Sequence, residues 1–216
     1  MKVSTDACIL GAFTPAPQAG YVLDIGTGTG LLSLMLAQRC QCEIDAIELD
    51  DASFMQATQN VYESEWKNRI SVQLADIRTF HTDKTYDLII CNPPFFENHL
   101  RSGISRRNIA RHADQLRFHE LIAAVISNLN PKGQFAVLLP SDFSERFISL
   151  SANAGLKVMQ QVMIRDTALH QPFRTIIIFS LRNDQQPETT SLIIRDASGN
   201  YSRQFTTLLS PYYLHL

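Results

Sequence analysis

Short, nearly continuous apolar runs alternate along the chain with longer segments whose apolar residues recur every three or four positions. These are the patterns of buried strands and amphipathic helices. The runs Tyr21–Ile25, Glu43–Leu49, Ile70–Leu74 and Tyr86–Cys91 predict four strands, the last apolar enough to be buried on both faces. Between the first two, Leu31, Leu32, Met35 and Leu36 mark the buried side of a helix that Thr29 can cap and that runs through Arg39. Asp50 and Asp51 open another helix reaching about Ser64, their charges suiting the positive end of its dipole. Helical spacing over Gln115–Leu129 turns Phe118, Leu121, Ile122, Val125 and Leu129 inward. Asn130-Pro131-Lys132-Gly133 breaks that helix before a fifth strand, Gln134–Leu139. Ser144–Ala154 predicts a further helix closed by Gly155. Leu156–Arg165 and Arg174–Leu181 are two more strands, joined through polar Asp166–Phe173 as an antiparallel pair. Asn183–Thr190 reads as a polar break before Leu192–Arg195, a turn at Ser198-Gly199-Asn200 and a final strand or tail.

Such alternation ending in a hairpin predicts an α/β fold: a doubly wound, mostly parallel seven-stranded sheet with helices on both faces and an antiparallel C-terminal hairpin. Residues 1–216 are expected to form a single domain, with 183–216 as a C-terminal strand or tail. Composition agrees, since 45% hydrophobic and 19% charged residues describe a folded chain rather than a disordered one. No apolar run approaches the length of a membrane span, and Met1–Asp6 lack the apolar core of a signal peptide. A cytoplasmic protein without membrane attachment, monomeric by default, is expected. The net charge of −2, from 19 basic and 21 acidic residues, argues against a globally basic nucleic-acid coat but leaves room for a local patch. Cys8, Cys40, Cys42 and Cys91 offer one Cys-x-Cys and no zinc-like spacing, so free buried thiols and no metal are expected.

Ligands of doubly wound sheets bind at the carboxyl ends of the strands, and the informative residues fall there. Asp24-Ile25-Gly26-Thr27-Gly28-Thr29-Gly30 leads from the first strand into the first helix. Its glycines allow a sharp turn and close approach of backbone to a ligand. The dinucleotide fingerprint Gly-x-Gly-x-x-Gly needs a glycine where Leu31 stands, and a pyrophosphate is poorly served by the nearby Asp24. A ligand bearing an ammonium and a sulfonium tolerates that carboxylate. Glu48 ends the second strand, where a carboxylate can accept two ribose hydroxyls, and Asp76 follows the third, where an acid can receive an adenine amino group. Each acid alone reads as a solvated strand end; three at consecutive strand ends beside a glycine loop read as a site. This order resembles the class I S-adenosylmethionine-dependent methyltransferases. The resemblance implies S-adenosyl-L-methionine as cofactor, with the loop of Asp24, Gly26, Gly28 and Gly30 at its amino-acid end, Glu48 at the ribose and Asp76 at the adenine.

The fourth strand runs into Asn92-Pro93-Pro94-Phe95-Phe96. A planar amino or amide nitrogen is a weak nucleophile because its lone pair is delocalised. The Asn92 side-chain carbonyl and the Pro93 backbone carbonyl can each accept one of its N–H groups, which returns electron density to nitrogen and aligns it with a methyl donor. Pro94 stiffens the loop, and Phe95 can stack on a planar base. An isolated Asn-Pro-Pro-Phe is more commonly a turn with an aromatic plug. At this position it resembles the signature shared by adenine-N6 methyltransferases of nucleic acids and glutamine-N5 methyltransferases of release factors, and it does not separate the two.

Five arginines follow within 17 positions: Arg101, Arg106, Arg107, Arg111 and Arg117. Clustered arginines suit phosphates through bidentate hydrogen bonding and counterion release, so Arg101, Arg106, Arg107 and Arg111 are candidate nucleic-acid contacts. Glutamine-N5 enzymes usually carry a separate N-terminal helical domain, and nothing of that size precedes Asp24. Lys2–Asp6, Leu10-Gly11-Ala12, the glycine loop, Asn92–Phe95, Arg107 through His112 and Phe173-Arg174 together are similar to the bacterial family that methylates adenine N6 in valine tRNA. That family implies tRNA as partner, through its anticodon stem-loop, with the target adenine at position 37 beside the anticodon. It also implies residues 1–20 as a cofactor-proximal segment, with Thr5 as a contact. Its members usually carry additional N-terminal residues ahead of this segment. Glutamine methylation of a release factor is the alternative. A catalytically silent RNA-binding module fits less well with an intact glycine loop, and a dehydrogenase is disfavoured by Leu31.

Overall fold

Apolar residues that alternate between the two faces of each central strand sort the chain into two cores, one on either side of a single sheet. The computed structural model describes residues 4–93, 116–182 and 185–215. In chain order these form α1 (Thr5–Phe13), β1 (Tyr21–Ile25), α2 (Leu31–Ala37), β2 (Glu43–Glu48), α3 (Asp51–Tyr62), β3 (Ile70–Leu74), β4 (Tyr86–Cys91), α4 (Phe118–Asn128), β5 (Leu129–Pro140), α5 (Ser141–Asn153), β6 (Lys157–Arg165), β7 (Arg174–Ser180), β8 (Glu188–Ile193) and α6 (Arg203–Leu209). The sheet order is β3-β2-β1-β4-β5-β7-β6-β8. Strands β1 to β5 run parallel, β7 runs antiparallel to both β5 and β6, and β8 returns parallel to β6.

One core takes Val22, Leu88, Ala136 and Ile176 from the sheet and packs them under α1, α2, α3 and α6 through Leu10, Leu36, Val61 and Phe205. The other takes their strand neighbours Leu23, Ile89, Phe135 and Ile177 and covers them with α4 and α5 through Val125 and Phe147. Two-sided burial explains why these strands read as continuous apolar runs. The Phe147 ring centroid stands 5.0 Å from Phe118 and 5.8 Å from Phe179, which locks α5 between α4 and the sheet. All four cysteines are free and buried, and Trp66 packs partly buried against the first core. No helix among the described residues is long and apolar enough to cross a membrane. Among them, no group of three or more His, Cys, Asp or Glu is placed to hold a metal ion.

The α/β class, the spans of β1, β3 and β4 and the antiparallel pair agree with the sequence reading, but the sheet has eight strands rather than seven. The eighth contains Glu188, Thr189 and Thr190, which read as part of a polar break. They pair with Gln160, Gln161 and Val162 at the edge of the sheet, where outward polar side chains cost little. Beyond it, the expected strand or tail contains helix α6, capped by Ser202, whose hydroxyl accepts the Phe205 amide at 3.1 Å. Residues Phe205 and Leu209, one helical turn apart, are buried. Helix α1 is likewise absent from the strand–helix pattern, because five successive residues, Ala7 to Gly11, are buried and no polar stripe betrays the period.

Strand β5 begins earlier than expected, and Asn130–Gly133 forms an irregularity inside it. Tyr86 pairs with Leu129 and Leu88 with Gln134, so five positions advance on β5 against two on β4. Asp87 secures this step, accepting the Asn130 side-chain amide at 3.2 Å and the Tyr21 amide at 3.0 Å. A Cβ on Gly133 would stand 2.6 Å from the Tyr86 carbonyl oxygen and 3.0 Å from that of Asn130. Backbone cannot yield cheaply there. Gly133→Ala is therefore expected to cost about 1–3 kcal/mol of stability, measured by urea denaturation; an unchanged midpoint would show that the close approach is not constraining.

Candidate active site

Strands β1, β2, β3 and β4 end side by side, with Ile25 in register with Ile47 and Cys91, and Glu48 with Leu74. The chain leaves β1 through three glycines with left-handed backbone: Gly26 at φ +70°, Gly28 at +61° and Gly30 at +81°. Only glycine adopts this readily, so the Gly-x-Gly-x-Gly spacing is a conformational requirement. Gly26 and Thr27 donate their amides to the Ile47 carbonyl at 2.8 and 3.0 Å, and Asn60 of α3 donates its side-chain amide to the Thr29 carbonyl at 2.8 Å. The loop is thus pinned from two neighbouring elements.

Thr29 does not cap α2 as the sequence suggests. Gly30 occupies the cap position and has no side chain to offer. The acceptor comes instead from β1. Asp24, fully buried, uses Oδ2 to accept the Ser33 amide at 3.2 Å, the Ser33 hydroxyl at 2.7 Å and the Thr27 hydroxyl at 2.6 Å. Its other oxygen, Oδ1, is buried without a partner. Burial pushes the Asp24 carboxyl from 3.8 up to about 6, against the lowering effect of the Thr27 and Ser33 hydrogen bonds; the Glu48 charge adds to the rise. An unpartnered acceptor in a buried, anionic setting suits a cationic ligand group, such as an amino acid's ammonium. Next to it on β4, Cys91 is buried and its thiol is pushed well up, by burial first and then by the Asp24 charge.

Glu48 faces the glycine loop. Its Oε2 accepts the Gly28 amide at 2.8 Å, while Oε1 accepts the amides of Leu49 and Asp50 at 2.8 and 3.0 Å. Asp76, beyond β3, is held by Arg78, whose Nε stands 2.8 Å from one carboxylate oxygen and 3.0 Å from the other. This pairing keeps the Asp76 carboxyl below the usual carboxylate range. Gly26, Glu48 and Asp76 line a cavity of about 670 Å³, with Ile47, Leu49 and Ile77 among its apolar walls. It combines an apolar slot with the carboxylates of Glu48, Asp50 and Asp76 and the Arg78 guanidinium, and so offers acceptors for the hydroxyl and amino groups of an adenine nucleoside. A Cβ on Gly26 would meet nothing within 4 Å, so the loop opens onto free space.

Asn92 follows β4 directly, half-buried, and Pro93 is buried behind it. The structure therefore brings together Asp24, Gly26, Gly28, Gly30, Glu48, Asp76, Asn92 and Pro93 at one edge of the sheet. Thr5 is set apart from the cavity wall, exposed at the start of α1. Pro94, Phe95, Arg101, Arg106, Arg107 and Arg111 lie outside the described residues. Sequence reasoning missed Ser33, Thr27 and Arg78, which hold two of the acids. Ser33 and Thr27 were detectable only as polar residues in a glycine loop and a buried helix turn; Arg78 carried no periodic signal.

A family model described as methyltransferase small domain matches residues 5–146, and the chain belongs to this family of methyltransferases. More particularly, it is 38% identical over 220 residues to the tRNA1(Val) (adenine(37)-N6)-methyltransferase of Bacteroides fragilis, spanning 100% of this chain and 92% of that protein. Solved structures share the fold at low identity. A predicted O-methyltransferase from Agrobacterium tumefaciens superposes with a TM-score of 0.73 at 16% identity, over 98% of each chain. A glycopeptide N-methyltransferase complexed with S-adenosyl-L-methionine gives 0.56 at 15% identity, over 76% of this chain and 82% of its own.

The raised Asp24 carboxyl has a consequence for stability. The folded chain binds the Asp24 proton more tightly than the unfolded chain, so the protonated acid costs nothing while the ionised one is penalised. Stability attributable to this group is fully present below pH 3.8 and is lost as pH rises to about 6, a difference of about 3 kcal/mol. Denaturation of the ligand-free protein should show the wild type losing about that much relative to Asp24→Asn between pH 4 and 7. A pH-independent difference between the two proteins would mean that Asp24 does not carry a buried charge.

Proposed function

We propose that this protein transfers the methyl group of S-adenosylmethionine to N6 of an adenine in tRNA, the adenine at position 37 of a valine tRNA. The observation that carries this reading is Asn92-Pro93 at the end of β4, beside an intact glycine loop, in a chain aligned throughout its length with relatives named for that reaction. The fit to the cofactor rests on the unpartnered Asp24 oxygen, the open face of Gly26 and the carboxylate-lined cavity.

Bound S-adenosylmethionine supplies an electrophilic methyl group on a sulfonium. In this reading Asp24 and the amides of the glycine loop take the amino-acid end, Glu48 accepts the ribose hydroxyls and Asp76 receives the adenine amino group. The family resemblance assigns Thr5, at the start of α1, to the same end. The target adenine presents its N6 to Asn92 Oδ1 and the Pro93 carbonyl, each of which accepts one N–H. Those two hydrogen bonds orient the nitrogen lone pair and stabilise the positive charge that grows on N6 as the new bond forms. Pro94 holds the loop and Phe95 stacks on the base. The N6 proton leaves after transfer, when the nitrogen is cationic and acidic, so no strong base is required first. Arg101, Arg106, Arg107 and Arg111 contact RNA phosphates. A base in the anticodon loop is already nearly unpaired, so turning it into the site costs less than extracting one from a duplex.

The experiment is methylation of bulk tRNA from cells lacking this gene, read by nucleoside mass spectrometry for N6-methyladenosine, with a release-factor peptide as the competing acceptor. Methylation of the peptide and not the tRNA overturns the assignment. Asn92→Ala is expected to lower the transfer rate by at least about a hundredfold while the Kd for S-adenosylmethionine stays within about threefold; equal loss of both would remove Asn92 from the chemistry. Changing Arg106, Arg107 and Arg111 together to alanine should weaken tRNA binding and flatten its dependence on salt, by about 0.7–0.9 in log–log slope for each phosphate no longer neutralised.

A further inference from the structure

The reactive edge continues past Asn92. Strand β7 enters antiparallel, so its first residue, Arg174, stands in register with Pro140 at the end of β5 and with Ile164 near the end of β6. Arg165 ends β6 opposite Ile193 at the end of β8. Arg165, Arg174, Arg195 and Arg203 thereby gather along the same edge as the glycine loop and Asn92. Four strand spacings of about 4.8 Å separate β4 from β8, so this group extends to about 19 Å from Asn92.

We propose that this arginine-lined edge is a second RNA-binding surface, which holds the sugar–phosphate backbone of the stem leading away from the target base. The proposal rests on the tRNA reading given above. Two of the arginines lie over exposed aromatic rings, Arg195 at 5.1 Å from the Tyr201 centroid and Arg174 at 5.8 Å from that of Phe173. Leu169, at the tip of the connection between β6 and β7, is 95% exposed. Leu169 is part of the wall of a recess of about 520 Å³ that carries Arg195, Arg203 and Asp196 among otherwise largely apolar neighbours such as Ile193 and Ala197. Guanidinium groups recognise phosphate through paired donors.

Nearby acids offset part of this charge. Asp166 stands 3.7 Å from both Arg195 and His170, and Asp6 accepts from Arg174 Nε at 3.1 Å. Asp196, exposed and also lining the recess, accepts the amides of Ser198 and Asn200 through Oδ1, at 2.8 and 3.1 Å. Two of the four guanidiniums are therefore already ion-paired, and the four arginines against three aspartates leave this edge with one excess positive charge in a chain whose overall charge is −2. The surface is also built in advance. Arg195 N donates to the Asp166 carbonyl at 2.7 Å, Ile194 N to that of Arg165 at 2.9 Å, and Arg165 Nη1 to that of His170 at 2.7 Å. The two loops are fixed to each other, so little ordering remains to oppose binding.

The test is the double variant Arg195→Ala/Arg203→Ala in the full chain, with tRNA binding followed by fluorescence anisotropy over a series of salt concentrations. Affinity should fall about tenfold, with the log–log salt slope reduced by about 1.4–1.8 for the two phosphates released. KM for tRNA should rise about tenfold, kcat should stay within about twofold, and S-adenosylmethionine binding should be unchanged. Unchanged tRNA affinity and slope, with cofactor binding intact, overturn the surface while leaving the methyltransferase reading in place. A wild-type protein that neither binds nor methylates tRNA overturns the reading itself, and the surface with it. If the double variant loses cofactor binding as well, Arg203→Glu decides: this exposed side chain opens α6, and charge reversal there should weaken tRNA binding by a similar factor, whereas wild-type affinity overturns the proposal.

Discussion

The Asp24 carboxylate, sealed at the tip of β1, ties strand, loop and helix into one rigid piece. A single oxygen gathers the Thr27 hydroxyl and both the amide and hydroxyl of Ser33, which sets the glycine loop against the first turn of α2. That geometry is purchased with an unfavourable group, a buried acid whose ionisation is resisted by its surroundings and whose second oxygen finds no partner. Stability alone would favour an amide or an apolar residue here. A site that must receive a positive charge favours the acid, because the incoming cation relieves what the ligand-free fold suffers. Glu48, Asp76 and Asn92 then take their places from the register of the neighbouring strands.

The acids at the three strand ends are held in different ways. Asp24 is buried and incompletely satisfied. Glu48 is half-buried and already accepts three amides, from the loop it faces and from the start of α3. Asp76 is clamped by Arg78, which keeps it ionised. Three carboxylates along one cleft would repel one another if all were equally charged and dry. Their unequal environments let a backbone-bound group and an ion-paired group line about 670 Å³ of cavity, with the buried Asp24 near the end of β1 outside its wall.

Much of this was legible in the residues. Tyr21–Ile25, Ile70–Leu74 and Tyr86–Cys91 were found to the residue, because strands buried on both faces carry an uninterrupted apolar signal. The glycine loop was readable because left-handed backbone leaves a mark in composition. What escaped was held by contacts rather than by pattern. Helix α1 hides its period by being buried nearly all round. Strand β8 looked polar because its partner lies on one side only, at the edge. The Gly133 irregularity reads as a break in sequence, yet the strand passes through it because Asp87 bridges the step. Thr29 looked like a helix cap because caps are normally local, whereas here the acceptor arrives from another strand. The Asp76–Arg78 clamp and the Ser33 anchor likewise depend on three-dimensional neighbours.

The reversal of β7 has a consequence for how such a fold can diversify. A strand that enters the sheet antiparallel places both ends of the segment from Asp166 to Phe173 on the reactive edge, whereas a parallel crossover would carry the chain to the opposite rim. Lengthening or recolouring that segment alters what stands beside the reaction without disturbing β1, β2 or the loop between β1 and α2. Evolution is thereby handed a hinge between inheritance and novelty: one half of the sheet can be kept nearly fixed while the other is rewritten for a different acceptor.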